Sequence, residues 1–337
     1  MAEPLLSVRN LKCHYMTGPG VVRAVDGIDL DVGAGEIVGI VGESGSGKST
    51  LALSVLGLLD RPGRIVEGTI SFKGNDLQAL SEDGWRQVRG RRISMIFQSP
   101  EASFSPTATI GRQMTEVLRV HRGMNGHAAK AAAEHMLTKV GMPRPAKILE
   151  SYPFELSGGM CQRAALALAI SLQPELLLAD EPTVSLDLLA QAEITQLLMD
   201  MRHQYQLAMI IISHDLGLVS RMADRVVIMY AGRIVESGPA IRVLQSPRHP
   251  YTQALLASIP QLEAQPRAIS ALPGRTPDMT APVTGCTFFP RCDKAGERCS
   301  RAQPPLVAVE VDQLAACWMQ GSGVSVNGDQ PRTRNHK

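Results

Sequence analysis

One run, Gly42-Glu43-Ser44-Gly45-Ser46-Gly47-Lys48-Ser49-Thr50, carries the most specific chemistry in the chain. Its Gly-x4-Gly-Lys-Ser spacing is the phosphate-binding loop (P-loop) pattern, in which glycines let the backbone wrap an anion. Main-chain N–H groups of Ser44 through Ser49, helped by the positive end of a following helix, suit a β-phosphate. Lys48 would then span the β- and γ-phosphates, and Ser49 would bind Mg2+. The plain alternative is a glycine-rich turn with a coincidental Lys-Ser. The flanks argue against it, because Glu36 to Val41 reads as a buried strand and Leu51 to Leu59 as a helix.

A second constellation supplies acids. The apolar run Leu176 to Ala179 ends in Asp180-Glu181-Pro182, placing two carboxylates at a strand end. Asp180 can hold the hydration shell of Mg2+, and Glu181 can polarise an attacking water. Alone, these acids are an ordinary strand exit, and the P-loop is what sharpens them. His214 follows the run Met209 to Ile212 and reaches the γ-phosphate if that strand neighbours the Asp180 strand. Gln98 ends the run Ile93 to Phe97 in the same way. A lone His or Gln is more often a satisfied surface or core group, so both gain weight only from their companions. Finally, Leu156-Ser157-Gly158-Gly159 opens a helix rich in Ala, Leu and Ile, a second helix N-terminus able to face an anion.

These residues need a scaffold of parallel strands, and the sequence predicts an α/β fold. Leu176 to Ala179 and Met209 to Ile212 are continuous apolar runs typical of strands buried on both faces. Leu5 to Leu30 alternates and breaks at Thr17-Gly18-Pro19-Gly20, predicting a small antiparallel layer. The Ala- and charge-rich stretch around 128–140 predicts a helical insertion, spanning about residues 85–165. Val226 to Met229 and Arg233 to Glu236 flank Ala231-Gly232 like a hairpin. After Gly238 the chain becomes Pro-rich, which predicts a boundary near residue 240, a smaller unit over 241–320 and a flexible tail over 321–337.

Composition bounds the partners. The chain has 337 residues, enough for a large domain with an appendage, and 44% hydrophobic residues exclude a disordered chain. With 34 basic against 32 acidic residues, no whole-molecule field attracts nucleic acid. Apolar runs stop after about half a dozen residues, and the N-terminus lacks a basic-then-apolar secretory pattern. A cytosolic chain that does not itself cross a membrane is expected.

The order of these motifs resembles the nucleotide-binding subunits of ATP-binding cassette (ABC) transporters. The P-loop, Gln98, LSGG at 156–159, LLLADEPT at 176–183, Ser185-Leu186-Asp187 and His214 stand in family order, and the match covers about residues 5–240. The resemblance implies a RecA-like P-loop NTPase core, an antiparallel β subdomain and an inserted helical signature subdomain, with ATP and Mg2+ as cofactors. It implies that Tyr15 stacks on adenine, that Gln98 links Mg2+ to a membrane partner, that Glu181 is the catalytic base and that His214 senses the γ-phosphate. Asp187 joins the nucleotide set, while Ser157, Gly158 and Gly159 act on the ATP of an opposite subunit. One ATP site therefore needs two cassettes. Met160 stands where Gln is common, similar to the oligopeptide and dipeptide importer branch, and Cys161 replaces the Arg usual there, a change expected to tune the partner's site.

His249-Pro250-Tyr251-Thr252-Gln253-Ala254-Leu255-Leu256, Leu272-Pro273-Gly274 and Gly285-Cys286-x-Phe288-x-Pro290-Arg291-Cys292 resemble the C-terminal region of peptide-importer ATPases. Cys286, Cys292, Cys299 and Cys317, spaced x5, x6 and x17, offer a shell of four thiolates that suits Zn2+ or an iron–sulfur cluster. No Cys-x2-Cys knuckle of the usual zinc type is present, and some relatives carry a 4Fe-4S cluster on similar cysteines, which favours the cluster over zinc; reduced buried thiols are the remaining alternative. The expected role is structural, because a short Pro-rich segment has little apolar core. The partners implied are a second ABC ATPase subunit in a heterodimer, two transmembrane permease subunits and an extracytoplasmic solute-binding protein. The location implied is the cytoplasmic side of the inner membrane, with dipeptides or oligopeptides as cargo. Nickel, glutathione or an opine are alternative cargoes. A soluble ABC ATPase of DNA repair or translation is a different class, as is a small-molecule kinase.

Overall fold

The computed structural model of the chain describes residues 3–18, 20–184, 186–258, 272, 274–281 and 283–320. The N-terminal layer begins with β1 (Leu6–Thr17) and β2 (Gly20–Val32), which pair antiparallel as the alternation predicts. β3 (Ile37–Val41) leads into the P-loop and α1 (Lys48–Val55). β4 (Gly63–Phe72) and β5 (Asn75–Asp76) return to complete a four-stranded sheet in the order β2-β1-β4-β5. After α2 (Glu82–Val88) comes β6 (Ile93–Ile96). The helices α3 (Ile110–Arg122), α4 (Gly126–Lys139), α5 (Pro145–Glu150) and α6 (Gly158–Ile170) then precede β7 (Leu176–Asp180).

The second half alternates α7 (Leu188–Tyr205), β8 (Ala208–Ile212) and α8 (Leu216–Met222) with the hairpin β9 (Arg225–Tyr230) and β10 (Arg233–Pro239). The chain continues through α9 (Ala240–Gln245), α10 (Pro250–Ala257) and α11 (Glu297–Arg301) to the short strands β11 (Val307–Glu310) and β12 (Gln313–Ala315). The large sheet has eight strands in the order β11-β12-β10-β9-β3-β8-β7-β6. Its five strands from β9 to β6 are mutually parallel. Every residue of β3, β7 and β8 is buried, because helices and the antiparallel layer cover both faces.

Alternation along these strands divides the core. Leu177, Met209 and Ile211 face the cluster shared with α3 to α7. Their neighbours Leu176, Leu178, Ile210 and Ile212 face the antiparallel layer and α1. Period-two burial of this kind fixes the strand register.

Packing crosses two of the expected boundaries. Trp85 and Val88 of α2 pack with the antiparallel layer, and β6 belongs to the large sheet, so the helical insertion starts after β6 instead of near residue 85. The unit expected over 241–320 joins the large sheet, because β12 pairs with β10 at Glu236 and Ser237. Tyr251 and Phe288 join Tyr230 of β9 in one aromatic cluster, with ring centroids 4.6 and 5.3 Å from Tyr230. The tail expected over 321–337 lies outside the described residues.

His249 caps α10 by accepting from the backbone N–H of Tyr251 at 3.0 Å, and it packs beside Phe288. It is 2% exposed, and burial pushes its imidazole down to about 4. Below pH 6.5 the unfolded chain gains a proton that the folded chain refuses until about pH 4, so stability falls with pH across that window. The loss amounts to about 3 kcal/mol. Urea midpoints measured against pH should show a shallower acid slope for His249→Asn, which keeps a capping acceptor without titrating; identical slopes would contradict this assignment.

Candidate functional site

Four parallel strands deliver the predicted residues to one edge of the sheet. β3 ends at the P-loop, β7 at Asp180 and Glu181, β8 just before Ser213 and His214, and β6 just before Gln98. Asp180 pairs directly with Ile212 across β7 and β8, which satisfies the condition set for His214. Together with Tyr15 of β1 they line one cleft of about 580 Å3, which also includes Ser44, Gly45, Gly47, Lys48, Ser49 and Thr50. Ser46 is buried within the loop.

The loop takes its shape from glycines. Gly45 and Gly47 adopt φ of +77° and +98°, a region that L side chains rarely occupy. A Cβ at Gly47 would meet the carbonyl oxygen of Ala24 at 2.0 Å, and one at Gly42 would meet that of Met229 at 2.1 Å. Gly47 is the N-cap of α1 and offers no side-chain cap, so the first-turn amides are available to an anion.

Lys48 is buried, and its Nζ donates to the carbonyls of Gly42 at 2.8 Å and Glu43 at 2.9 Å. Burial lowers its pKa, while the carboxylates of Glu181, Asp180 and Glu43 pull it back up. Asp180 is 5% exposed; burial raises its pKa, and contact with the Ser49 hydroxyl opposes the rise. Its Oδ1 has no hydrogen-bond partner among the described residues. A buried carboxylate oxygen of this kind beside a P-loop serine suits a hydrated divalent cation, so the donor set fits Mg2+.

Glu181 sits at φ +48°, uncommon for a non-glycine residue and a sign of a constrained position. Its Oε1 accepts the backbone N–H of His214 at 3.0 Å and lies 2.9 Å from His214 Nδ1. The Ser213 hydroxyl donates to Oε2 at 3.3 Å. The carboxylate is thus aimed by three contacts, two of them from His214.

Other predicted residues stand apart from this cleft. Ser157 caps α6 through the backbone N–H of Met160 at 3.3 Å, and Ser157 and Gly158 are exposed. Asp187 caps α7 through Ala190 N–H at 2.9 Å. None of Ser157, Gly158, Gly159 and Asp187 lines the cleft that holds Lys48. Ser185 lies outside the described residues. Cys161, expected to tune a partner's site, is 1% exposed and packs in the core.

Cys286, Cys292, Cys299 and Cys317 line one small cavity together with His249, and all four are free thiols. Burial raises the pKa of Cys286, Cys292 and Cys317. Among the described residues, however, no three or more His, Cys, Asp or Glu side chains gather closely enough to hold a metal ion. The expected four-thiolate shell is therefore not assembled, although its members converge.

Several functional positions escaped the sequence reading. Val22 and Ala24 line the cleft beside Tyr15, and Ser213 supports Glu181. Ser213 precedes His214 and was within reach of the motif. Val22 and Ala24 carry no chemical signal.

An ABC transporter family model matches residues 25–184, and a model of the oligopeptide/dipeptide transporter C-terminal region matches residues 235–299. The dipeptide transport ATP-binding protein DppD of Escherichia coli (strain K12) is 44% identical over 93% of this chain and 96% of its own length. The oligopeptide transport ATP-binding protein AppD of Bacillus subtilis (strain 168) is 42% identical over 94% of this chain and 96% of its own. Among solved structures, the dimeric post-hydrolysis state of the ATP-binding cassette MJ0796 bound to ADP and Pi superposes with a TM-score of 0.64. That cassette is 26% identical, with 70% of this chain and 98% of that one covered. The chain belongs to the ATP-binding subunits of the ABC transporter family.

The two positive-φ glycines separate strain from space. A Cβ at Gly45 meets nothing within 4 Å, so Gly45→Ala should cost about 1 kcal/mol of backbone strain. Gly47→Ala adds a collision with Ala24 and should cost about 3 kcal/mol or more. Chemical denaturation of the two variants should rank them in that order, and equal losses would contradict the tight approach.

Proposed function

We propose that this chain is the ATP-hydrolysing motor of a multi-subunit importer of dipeptides or oligopeptides, bound peripherally to the cytoplasmic side of the inner membrane. The observation that carries the reading is one cleft holding P-loop, Asp180, Glu181, His214, Gln98 and Tyr15. Tyr15 stacks on adenine, and the P-loop amides with Lys48 hold the phosphates. Lys48 exchanges its two carbonyl contacts for phosphate oxygens, which are better partners for a desolvated ammonium. Ser49, Gln98 and Asp180 would hold Mg2+, which would supply charge neutralisation for the phosphates. Glu181 orients the attacking water as general base, and His214, aligned through Nδ1 on Glu181, presents its other ring nitrogen towards the γ-phosphate.

Ser157, Gly158, Gly159 and Asp187 serve a second cassette. Their position outside the cleft supports a trans role, as do the exposed apolar residues Val184, Leu188 and Leu189 beside Asp187. The mate is a second ATPase subunit, and the two chains form a heterodimer. The permease pair docks on a groove bordered by Ser105, Ala108, Arg112, Glu116, Val120 and Leu168, on the segment that follows Gln98 in the chain. Among the described residues no helix is long and apolar enough to cross a membrane. Peptide cargo, delivered by an extracytoplasmic binding protein, is supported by the names of the relatives and by the matching C-terminal region. Cys286, Cys292, Cys299 and Cys317, which line one cavity, are the residues that would hold a structural 4Fe-4S or zinc centre.

Glu181→Gln removes the base while leaving its size and the P-loop intact. With the partner cassette and Mg2+, ATPase turnover should fall about 10²- to 10⁴-fold. ATP binding should persist, and the closed dimer should accumulate in size-exclusion chromatography with ATP. Turnover at the parent rate would reject Glu181 as the base.

A further inference from the structure

Glu43, the first variable residue of the P-loop, is gripped from the far end of the chain. Arg291 forms a two-pronged ion pair with it, Nη1 to Oε2 at 2.6 Å and Nη2 to Oε1 at 3.0 Å. Tyr251 accepts the backbone N–H of Glu43 on its hydroxyl at 2.9 Å. The Glu43 carbonyl meanwhile accepts Lys48 Nζ at 2.9 Å and the Ser46 N–H at 3.2 Å. One residue of the loop is thus fixed through side chain, amide and carbonyl, and two of those three anchors belong to the C-terminal unit.

The anchors are themselves rigid. The Arg291 side chain is 4% exposed, and its guanidinium stands 5.7 Å from the Tyr230 ring centre and 6.0 Å from that of Phe288. It sits on a short 3-10 turn, Phe289–Arg291, between Cys286 and Cys292. Tyr251 is fully buried against the same two rings. A bidentate guanidinium–carboxylate pair fixes direction as well as distance, so it can hold a loop whose glycines would otherwise wander.

We infer that the C-terminal unit clamps the P-loop, with Arg291 and Tyr251 as positioning residues that hold Glu43 so that the loop is preformed for nucleotide phosphates. Neither residue touches the cleft, and both act through Glu43. The clamp rests on the nucleotide-site reading above. Its consequence is that ATP affinity depends on a lobe far from the P-loop in sequence, because preorganisation removes ordering cost from the binding step.

The test is equilibrium titration of the full-length chain with a fluorescent Mg-ATP analogue, paired with thermal denaturation without nucleotide. Arg291→Met should raise Kd about tenfold, and Arg291→Lys, which keeps the charge but loses the fork, should recover part of that affinity. Tyr251→Phe, which keeps the ring and removes only the acceptor, should raise Kd about threefold. A lowered melting temperature with Kd within about twofold of the parent in all three would mean simple anchoring of the lobe and would overturn the clamp. If Arg291→Met does not fold, Tyr251→Phe decides alone, and unchanged affinity there overturns the proposal. A parent chain that binds no nucleotide would instead remove the reading on which the clamp rests.

Discussion

A desolvated lysine ammonium inside a loop of backbone is the interaction on which the rest of this structure depends. Lys48 is buried; burial lowers its pKa, and three nearby carboxylates oppose that shift while two carbonyls accept from its Nζ. Such a group is costly unless the surroundings supply both oxygen partners and compensating charge. The parallel sheet meets that demand by bringing the ends of β3, β6, β7 and β8 to one edge. Asp180 and Glu181 then face the same space as Lys48 without being adjacent to it in sequence. The site is therefore a property of strand order, and moving any one strand out of sequence in the sheet would disperse it.

The arrangement leaves the cleft chemically one-sided. It contains the P-loop, a buried carboxylate with an unpartnered oxygen and a second carboxylate held by His214, whereas Ser157 at the N-terminus of α6 does not line it. A second chain would contribute that surface, and the exposed Leu188 and Leu189 mark where apolar area remains to be covered. The C-terminal unit adds β11 and β12 to the sheet and shares the Tyr230, Tyr251 and Phe288 cluster, so it is built into the catalytic core and not appended to it.

Much of this was legible in the sequence because the decisive contacts are local. The P-loop is contiguous, and the acids of β7 directly follow an apolar run, so a local pattern reports both. β3, β7 and β8 announced themselves as unbroken apolar stretches. By contrast β4 alternates weakly, with only Ile70 and Phe72 buried, and it was not read as a strand. β11 and β12 are short and lie in a segment whose prolines suggested a separate unit. The pair of Arg291 with Glu43 is separated by 248 residues, and no local pattern reports a contact of that range. The cysteines show the converse limit: their spacing suggested a ligand shell, whereas the folded chain brings them to one cavity without closing it.

The most direct measurement is a crystal structure of the chain with Mg2+ and a non-hydrolysable ATP analogue. The account predicts the nucleotide in the cleft between Tyr15 and Asp180, with Lys48 Nζ moved from the carbonyls of Gly42 and Glu43 onto phosphate oxygens. Nucleotide bound at another place, or Lys48 still held by both carbonyls beneath an occupied cleft, would contradict it.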